Sequence, residues 1–325
     1  GSSIGPVTTD LNTPPQSLSV VIPARDAAEV IDGCLSAVLA QEVNLEFDVV
    51  VAAGPSRDDT AARIDAWATR DPRVRRVDNP SGTTPAALNR AIAESTGDLV
   101  VRVDAQAVVP EGYLQRLLDS AGRTGAGNVG GLQRPVGAGG WSTPIAAAMR
   151  SSFGVGPAQF RSGGHEGPTD TVYLGAFRRA ALEEVGGYDE TLIRNQDYEL
   201  NWRLRQAGYV IWLDPALVVE YTPRASLRGL WSQYFQYGRW KRVVVFRSPR
   251  SLRARQLAAP GLVIGLAASL ALLIAGSWLG LVLPAVYVSA VTGVAARTRD
   301  ASTFRVALGF VTMHLAWGTG FLLGR

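Results

Sequence analysis

The sequence predicts an α/β domain with a mainly parallel sheet covered by helices, followed by C-terminal transmembrane helices. Three observations carry this. Over the first 220 or so residues, apolar runs of strand length alternate with amphipathic helical patterns, as in sheets whose strands are buried on both faces. From Leu257 to Val294 there is no charged residue at all. Just before that stretch, from Arg224 to Arg255, nine Lys and Arg occur without one carboxylate. Four segments follow: a flexible lead-in over 1–16, a catalytic-size domain over 17–222, basic interfacial helices over 223–256, and a membrane domain over 257–325 with about three spans.

"SLSVVIP" (17–23) reads as the first strand, and "AAEVIDGCLSAVLAQ" as a helix with Val30, Ile31, Cys34, Leu35 and Val38 on its apolar face. "FDVVVAA" (47–53) is the second strand, and "DDTAARIDAWATR" a helix behind acidic residues. "RVRRV" is a short third strand, "TPAALNRAIAES" a helix capped by Thr83 or Thr84, and "DLVVRVD" (98–104) a fourth strand. After Gly125, "GAGNVGGLQRPVGAGGWS" reads as turn-rich and 151–170 as a polar, mobile loop of the kind that usually serves a site. "TVYLGAF" is then a strand, "RRAALEEVGGYDE" a helix closed by Gly186 and Gly187, and "NQDYELNWRLRQAGY" a helix with Asn195 as N-cap. "VIWLDP" and "ALVVEYTP" read as two strands. Leu257–Val294 suits two spans turning near 276–279, and Phe304–Gly324 a third, with His314 a packed or interfacial side chain. The Arg-rich loop "AARTRDASTFR" falls on the side of the basic cluster, which places the N-terminal domain in the cytoplasm at the inner, or plasma, membrane.

The charge balance, 32 Lys plus Arg against 28 Asp plus Glu, is too even to imply a nucleic-acid partner. The local basic cluster reads as a surface for the lipid bilayer, the alternative being a solvated basic helix or a nucleic-acid patch. Cys34 is the only cysteine, which excludes an intrachain disulfide, and its apolar neighbours make it a core residue. The opening "GSSIGPVTTDLNTPPQS" lacks the apolar stretch of a secretory leader. No GxGxxG follows the first strand and no GxxxxGK[ST] occurs, so dinucleotide-dependent and P-loop chemistry are disfavoured.

In parallel sheets ligands gather beyond the C-terminal strand ends, here Pro23–Asp26, Ala53–Asp58, Val77–Asn79 and Asp104–Gln106. Asp104 is therefore either a polar stop to a strand or a carboxylate that holds a phosphate-bound cation. Asp197, in the first turn of its helix, is either a cap or a base kept ionised by the helix terminus. In "QYGRW", Arg239 and Gln236 could hold a diphosphate while Trp240 stacks on a sugar, or the group could anchor the chain at the membrane interface.

Together "SVVIPARD", "GPSRDDT", "PAALNRAI", "VRVDAQAVVP", "DTVYLGAFRR", "GGYDE", "RNQDYELNWRLRQAG" and "QYFQYGRWK" resemble the family 2 inverting glycosyltransferases of the GT-A nucleotide-diphospho-sugar transferase fold, most of all those of bacterial exopolysaccharide (succinoglycan-type) assembly. The resemblance runs from about Ser17 to Trp240. It implies a hexosyltransferase that takes a sugar from a nucleotide sugar, UDP-hexose by family habit, and passes it to a hydroxyl of a polyprenyl-linked or other membrane glycan. It implies Asp197 as the base, and Asp104 with Gln106 at a Mg or Mn ion. It assigns Pro23, Arg25, Asp26, Ala53, Arg57, Asp58, Asn89, Arg102 and Asp104 to the donor, Gln236 and Arg239 to the diphosphate, and Trp240, His165 and Asp170 to the acceptor side. Two positions depart from the pattern. Ala53 stands where the family usually has an aspartate that pairs with uracil, and alanine cannot accept a hydrogen bond. Gln106 stands where the family more often has an acid, and contributes a ligand without charge. Two other readings are a polyprenyl-phosphate sugar synthase and a degenerate, non-catalytic subunit that binds nucleotide or glycan. Three spans are few for a polymer channel, so one sugar is expected per encounter, or a channel completed by self-association or by polysaccharide-assembly partners.

Overall fold

The computed structural model describes residues 13–156, 160, 163–298 and 302–324. The expected lead-in over 1–16 lies outside them up to residue 12, as does part of the 151–170 loop. Residues 13–16 are tied down rather than flexible: Arg178 Nη1 donates to the Thr13 carbonyl (2.9 Å), and the Gln16 amide donates to Asp98 Oδ2 (3.0 Å).

The chain forms two compact units, one of 1–132 with 164–219 and one of 133–163 with 220–325. The single domain expected over 17–222 is thus interrupted, because residues 133–163 join the C-terminal helices.

In the first unit β1 (Leu18–Ala24), β2 (Phe47–Ala53), β3 (Val74–Asp78) and β4 (Leu99–Arg102) are parallel, as the alternation predicts. Between them run α1 (Ile31–Leu39), α2 (Thr60–Arg70) and α3 (Thr84–Glu94), and α4 (Tyr113–Thr124) follows. Val20, Val21, Ile22, Val49, Val50, Val51, Val100 and Val101 are all buried, so these strands are covered on both faces. Ile31, Cys34, Leu35 and Val38 of α1 are buried as their spacing predicts.

The second half of the sheet is where sequence and structure part. The segment expected to be turns contains β5 (Asn128–Pro135), and β6 (Gly167–Pro168), β7 (Tyr173–Arg178) and β8 (Ile211–Tyr221) complete the order β3-β2-β1-β4-β7-β5-β8-β6. β7 is antiparallel to both β4 and β5. The glycines that read as turn formers are there for close approach: a Cβ on Gly131 would collide with the Leu217 carbonyl, and one on Gly130 would lie 2.7 Å from the Tyr173 carbonyl. A register shift between Val129 and Gly131 marks a bulge. The two strands expected over 210–223 are one, β8, running through Pro215; the Asp214 carboxylate accepts from the Ala216 amide (3.0 Å), Ser120 (2.8 Å) and Arg116 (2.8 and 2.9 Å). Two helices position the site: α7 (Arg179–Val185), ending in Gly186 and Gly187 with φ of 77° and 68°, and α8 (Gln196–Gln206).

The second unit holds α5 (Ser142–Arg150) and α6 (Ser152–Val155), neither expected from the sequence, then α9 (Leu227–Arg247), α10 (Ala258–Ile274), α11 (Val282–Arg297) and α12 (Thr303–Leu323). Ala254–Ile274, Trp278–Arg297 and Thr303–Leu323 are long and apolar enough to cross a membrane. The turn between the first two falls at Gly276, with φ of 80°, as expected. α12 buries Val306, Phe310, Met313 and Ala316, and Ile145, Ala148 and Met149 of α5 share that cluster. This apolar face explains why 133–163 leaves the first unit. Gly320 and Gly238 let α12 and α9 meet at backbone distance: a Cβ on Gly320 would strike the Phe235 carbonyl, and one on Gly238 the Trp317 carbonyl. His314 is packed, as predicted, its Nε2 3.0 Å or less from a backbone oxygen, that of Phe153 (2.8 Å), and its Nδ1 3.0 Å from the Tyr287 hydroxyl.

Candidate active site

The strand ends converge by construction. The Gly54 amide donates to the Ala24 carbonyl (2.8 Å) and the Asn79 amide to the Ala53 carbonyl (2.8 Å), so the loops after β1, β2 and β3 are stitched in register. Asp58 accepts from the Thr60 amide (3.2 Å) and hydroxyl (2.5 Å) and from the Ala28 amide (3.1 Å), and the hydroxyl bond chiefly holds its pKa below the usual carboxylate value. Asp26, at a φ of 45°, accepts from the Arg57 amide (2.9 Å) and guanidinium (3.1 Å), which lower its pKa in the same way. Arg25 reaches over to the Gly82 carbonyl (3.1 Å), while Arg57 stays largely exposed. Pro23 is half-buried near the end of β1, and the buried Ala53 ends β2.

β4 stops at Arg102, and Asp104 lies two residues beyond it, its backbone carbonyl accepting from the buried Cys34 thiol (3.5 Å). Burial, with the Asp104 charge, pushes that thiol up to about 12, so Cys34 is an inert core residue. The Arg102 guanidinium binds Asp104 Oδ1 through Nε (2.9 Å) and Nη2 (2.8 Å), and donates through Nη1 to Asp197 Oδ1. Asp104 and Asp197 therefore line one cleft, with Asn128, Tyr173, Gly175 and Asn201.

Asp197 sits in the first turn of α8 as predicted, although Asn195 caps the helix by its left-handed backbone (φ 61°) and not by a side-chain hydrogen bond. Burial raises the Asp197 pKa above the usual carboxylate value, the Arg102 cation opposes this, and Asp104 adds to it. For Arg102, burial disfavours the charge, but Asp104 and Asp197 overcome it and hold the guanidinium well above its ordinary value.

Asn89 has a different task from a ligand contact. Its side chain donates to the Tyr188 carbonyl (2.8 Å) and Glu190 (2.9 Å) and accepts from the Tyr188 amide (2.8 Å), fixing the "GGYDE" turn. Arg203, paired with Glu199 (2.7 and 2.8 Å), donates to the Gly187 carbonyl (2.7 Å), so α8 is locked to the same turn. The Tyr188 ring is thereby buried near Arg102 and Asp197; burial and the Asp197 charge raise its hydroxyl pKa. Tyr188 and Asn128 were missed by sequence reasoning; the only signal was "GGYDE" itself, whose glycines announce a fixed turn.

Among the described residues no three His, Cys, Asp or Glu cluster as a metal site. The donor set still fits a hard cation that takes most of its oxygens from phosphates: Asp104 Oδ2 accepts no hydrogen bond among the described residues, and Gln106 is exposed on the same loop. On the expected acceptor side, His165 is exposed, and Asp170 pairs with Arg205 (3.4 Å). Gln236, Arg239 and Trp240 belong to the second unit, at i, i+3 and i+4 on one face of α9. Arg239 packs where a Cβ on Gly324 would be, 2.6 Å from its Cγ.

The family model described as glycosyl transferase family 2 matches residues 19–186. The chain belongs to this family. It is 34% identical over 308 residues to the succinoglycan biosynthesis protein ExoA of Rhizobium meliloti, covering 93% of both chains. It is 22% identical over 237 residues to a dolichyl N-acetyl-α-D-glucosaminyl phosphate 3-β-D-2,3-diacetamido-2,3-dideoxy-β-D-glucuronosyltransferase of Methanococcus voltae, covering 70% of this chain and 74% of that one. Among solved structures it resembles the mannosyltransferase PcManGT of Pyrobaculum calidifontis, determined in complex with GDP-Man and Mn2+, at a TM-score of 0.66 and 20% identity over 94% of this chain and 88% of that one. This glycosyltransferase therefore has the GT-A fold that its sequence implied, with three helices able to span a bilayer.

Proposed function

We infer that this family 2 enzyme is a membrane-bound inverting hexosyltransferase. It moves a hexose from a nucleoside-diphosphate sugar, UDP-hexose by family habit, to a hydroxyl of a lipid-linked saccharide during exopolysaccharide or cell-surface glycan assembly. The observation that supports this most is Arg102 joining Asp104 and Asp197 on one cleft. The succinoglycan relative supports the pathway class, and the name of the M. voltae relative, which specifies a dolichyl-phosphate-linked sugar, supports a lipid-linked acceptor.

Asp197, 41% exposed at its side chain, is reachable by an acceptor hydroxyl. It takes the hydroxyl proton as the oxygen attacks the anomeric carbon; the new C–O bond forms on the face opposite the breaking bond to the diphosphate, and configuration inverts. Asp104 and Gln106 would hold a Mg or Mn ion, which with the diphosphate oxygens offsets charge on the leaving group. Arg25, Asp26, Arg57 and Asp58 shape the nucleotide side; Gln236 and Arg239 are assigned to the diphosphate and Trp240 to the acceptor sugar. Since Ala53 offers a base edge no acceptor, nucleotide choice rests on neighbouring backbone groups.

The test uses the full chain in lipid with a nucleotide-sugar panel and a polyprenyl-linked glycan. Metal-dependent transfer by the wild type, lost in Asp104→Ala and Asp197→Asn, is the expected result. Transfer that survives Asp197→Asn would instead identify an acceptor already ionised, such as a polyprenyl phosphate. No metal-dependent turnover of any donor would defeat the reading.

A further inference from the structure

Arg102 was expected to contact the donor, and its surroundings give it other work. Its side chain is 10% exposed, and its Nε, Nη1 and Nη2 are all committed to carboxylate oxygens. The two carboxylates come from distant parts of the chain, the loop after β4 and the first turn of α8, with Arg102 and Asp197 95 positions apart. Nothing else described bonds Asp104 Oδ1 or Asp197 Oδ1. Arg102 is itself buried, so its guanidinium cannot turn to a diphosphate without giving up a carboxylate partner and leaving its own charge less compensated, which is costly. Without it, two like charges would share one cleft and repel. It also sits on Asp104 Oδ1, beside the Oδ2 left for a divalent cation, and one positive charge so near disfavours another.

We propose that Arg102 is a positioning residue that clamps Asp104 and Asp197 in their working relation and shields Asp104 from free divalent cation until a nucleotide diphosphate supplies further oxygens. Cation loading is thereby coupled to donor binding. The proposal rests on reading Asp104 as the metal-holding group and Asp197 as the base.

Arg102→Met and Arg102→Lys, in the full chain in lipid, test it by two routes. Mn2+ alone is titrated by electron paramagnetic resonance without nucleotide, then with UDP and GDP. Arg102→Met is expected to bind Mn2+ roughly tenfold more tightly than wild type when nucleotide is absent, since a competing unit charge has gone, with a smaller difference when UDP or GDP is present. In turnover, kcat for Arg102→Met is expected to fall about 100-fold while donor KM moves less than about threefold, and Arg102→Lys to recover part of kcat. Unchanged Mn2+ affinity without nucleotide, or a raised donor KM at preserved kcat, would overturn it. Should Arg102→Met fail to fold, the same measurements on Arg102→Lys decide, because its shorter single point of charge cannot hold both carboxylates at once and must show a reduced kcat. A wild type inactive with every donor would end the functional reading, and the Mn2+ titration would still judge Arg102.

Discussion

Asp197 carries the sharpest consequence of single-residue chemistry. Its carboxyl titrates above the usual carboxylate value because burial outweighs the Arg102 cation. The proposed base works only when deprotonated, so turnover is expected above that raised pKa and to be lost as pH falls through it. The acid limb of the kcat profile is expected above about pH 4, the ordinary carboxylate value, and to vanish with the residual activity of Asp197→Asn, which general-base loss lowers by about 10² to 10⁴. A pH series with one good donor checks both. Asp197 and Asp104 could be named from the sequence because each follows a strand or opens a helix inside a dense local motif. The Arg102 bridge could not, since no local pattern announces a pairing between residues 95 apart. The same holds for Asn89, whose motif gave it away as important while hiding that its partner is the Tyr188 backbone. Removing its side chain strands the Tyr188 amide and carbonyl; Asn89→Ala is expected to lower stability by about 1–3 kcal/mol, read as a drop in thermal midpoint.

At the level of elements, β1 to β4 and their helices were legible because apolar runs and helical stripes alternate cleanly. β5 was not, and the reason is chemical: strand propensity is judged by side chains, and this strand has glycines where the backbones of Tyr173 and Leu217 press in. A tolerant turn would accept alanine at 131; the strand cannot. Gly131→Ala is expected to destabilise the first unit by more than about 2 kcal/mol, whereas Gly139→Ala, in open space, costs only its left-handed backbone conformation, with φ of 92°. Thermal melts of the two variants make the comparison. α5 escaped notice for the opposite reason: "STPIAAAMR" is short and its middle, "PIAAAM", is an unbroken apolar run, so it carries no periodic signal until α12 supplies the surface that covers it.

For the molecule as a whole, the basic segment and the spans propose an orientation that chemistry can read directly. Cys34 is the only native cysteine and is fully buried, so the chain offers a silent background for thiol labelling. Ser302→Cys and Ser277→Cys, on either side of α11, are expected to react with a membrane-impermeant maleimide from opposite faces, Ser302→Cys from the cytoplasm. Reaction of both from one face would contradict three spans. The close meeting of α9 and α12 has a further effect. α12 has 21 residues, about 32 Å of helix, close to the thickness of a hydrocarbon core. Because Gly238 and Gly320 leave no slack between the two backbones, the face bearing Gln236, Arg239 and Trp240 cannot rise or sink independently of the last span. Acyl-chain length would then become a setting on the enzyme: with these helices spanning a bilayer, a thicker or thinner one would carry that face to a different height relative to the headgroup plane, and with it the reach toward the proposed lipid-linked acceptor.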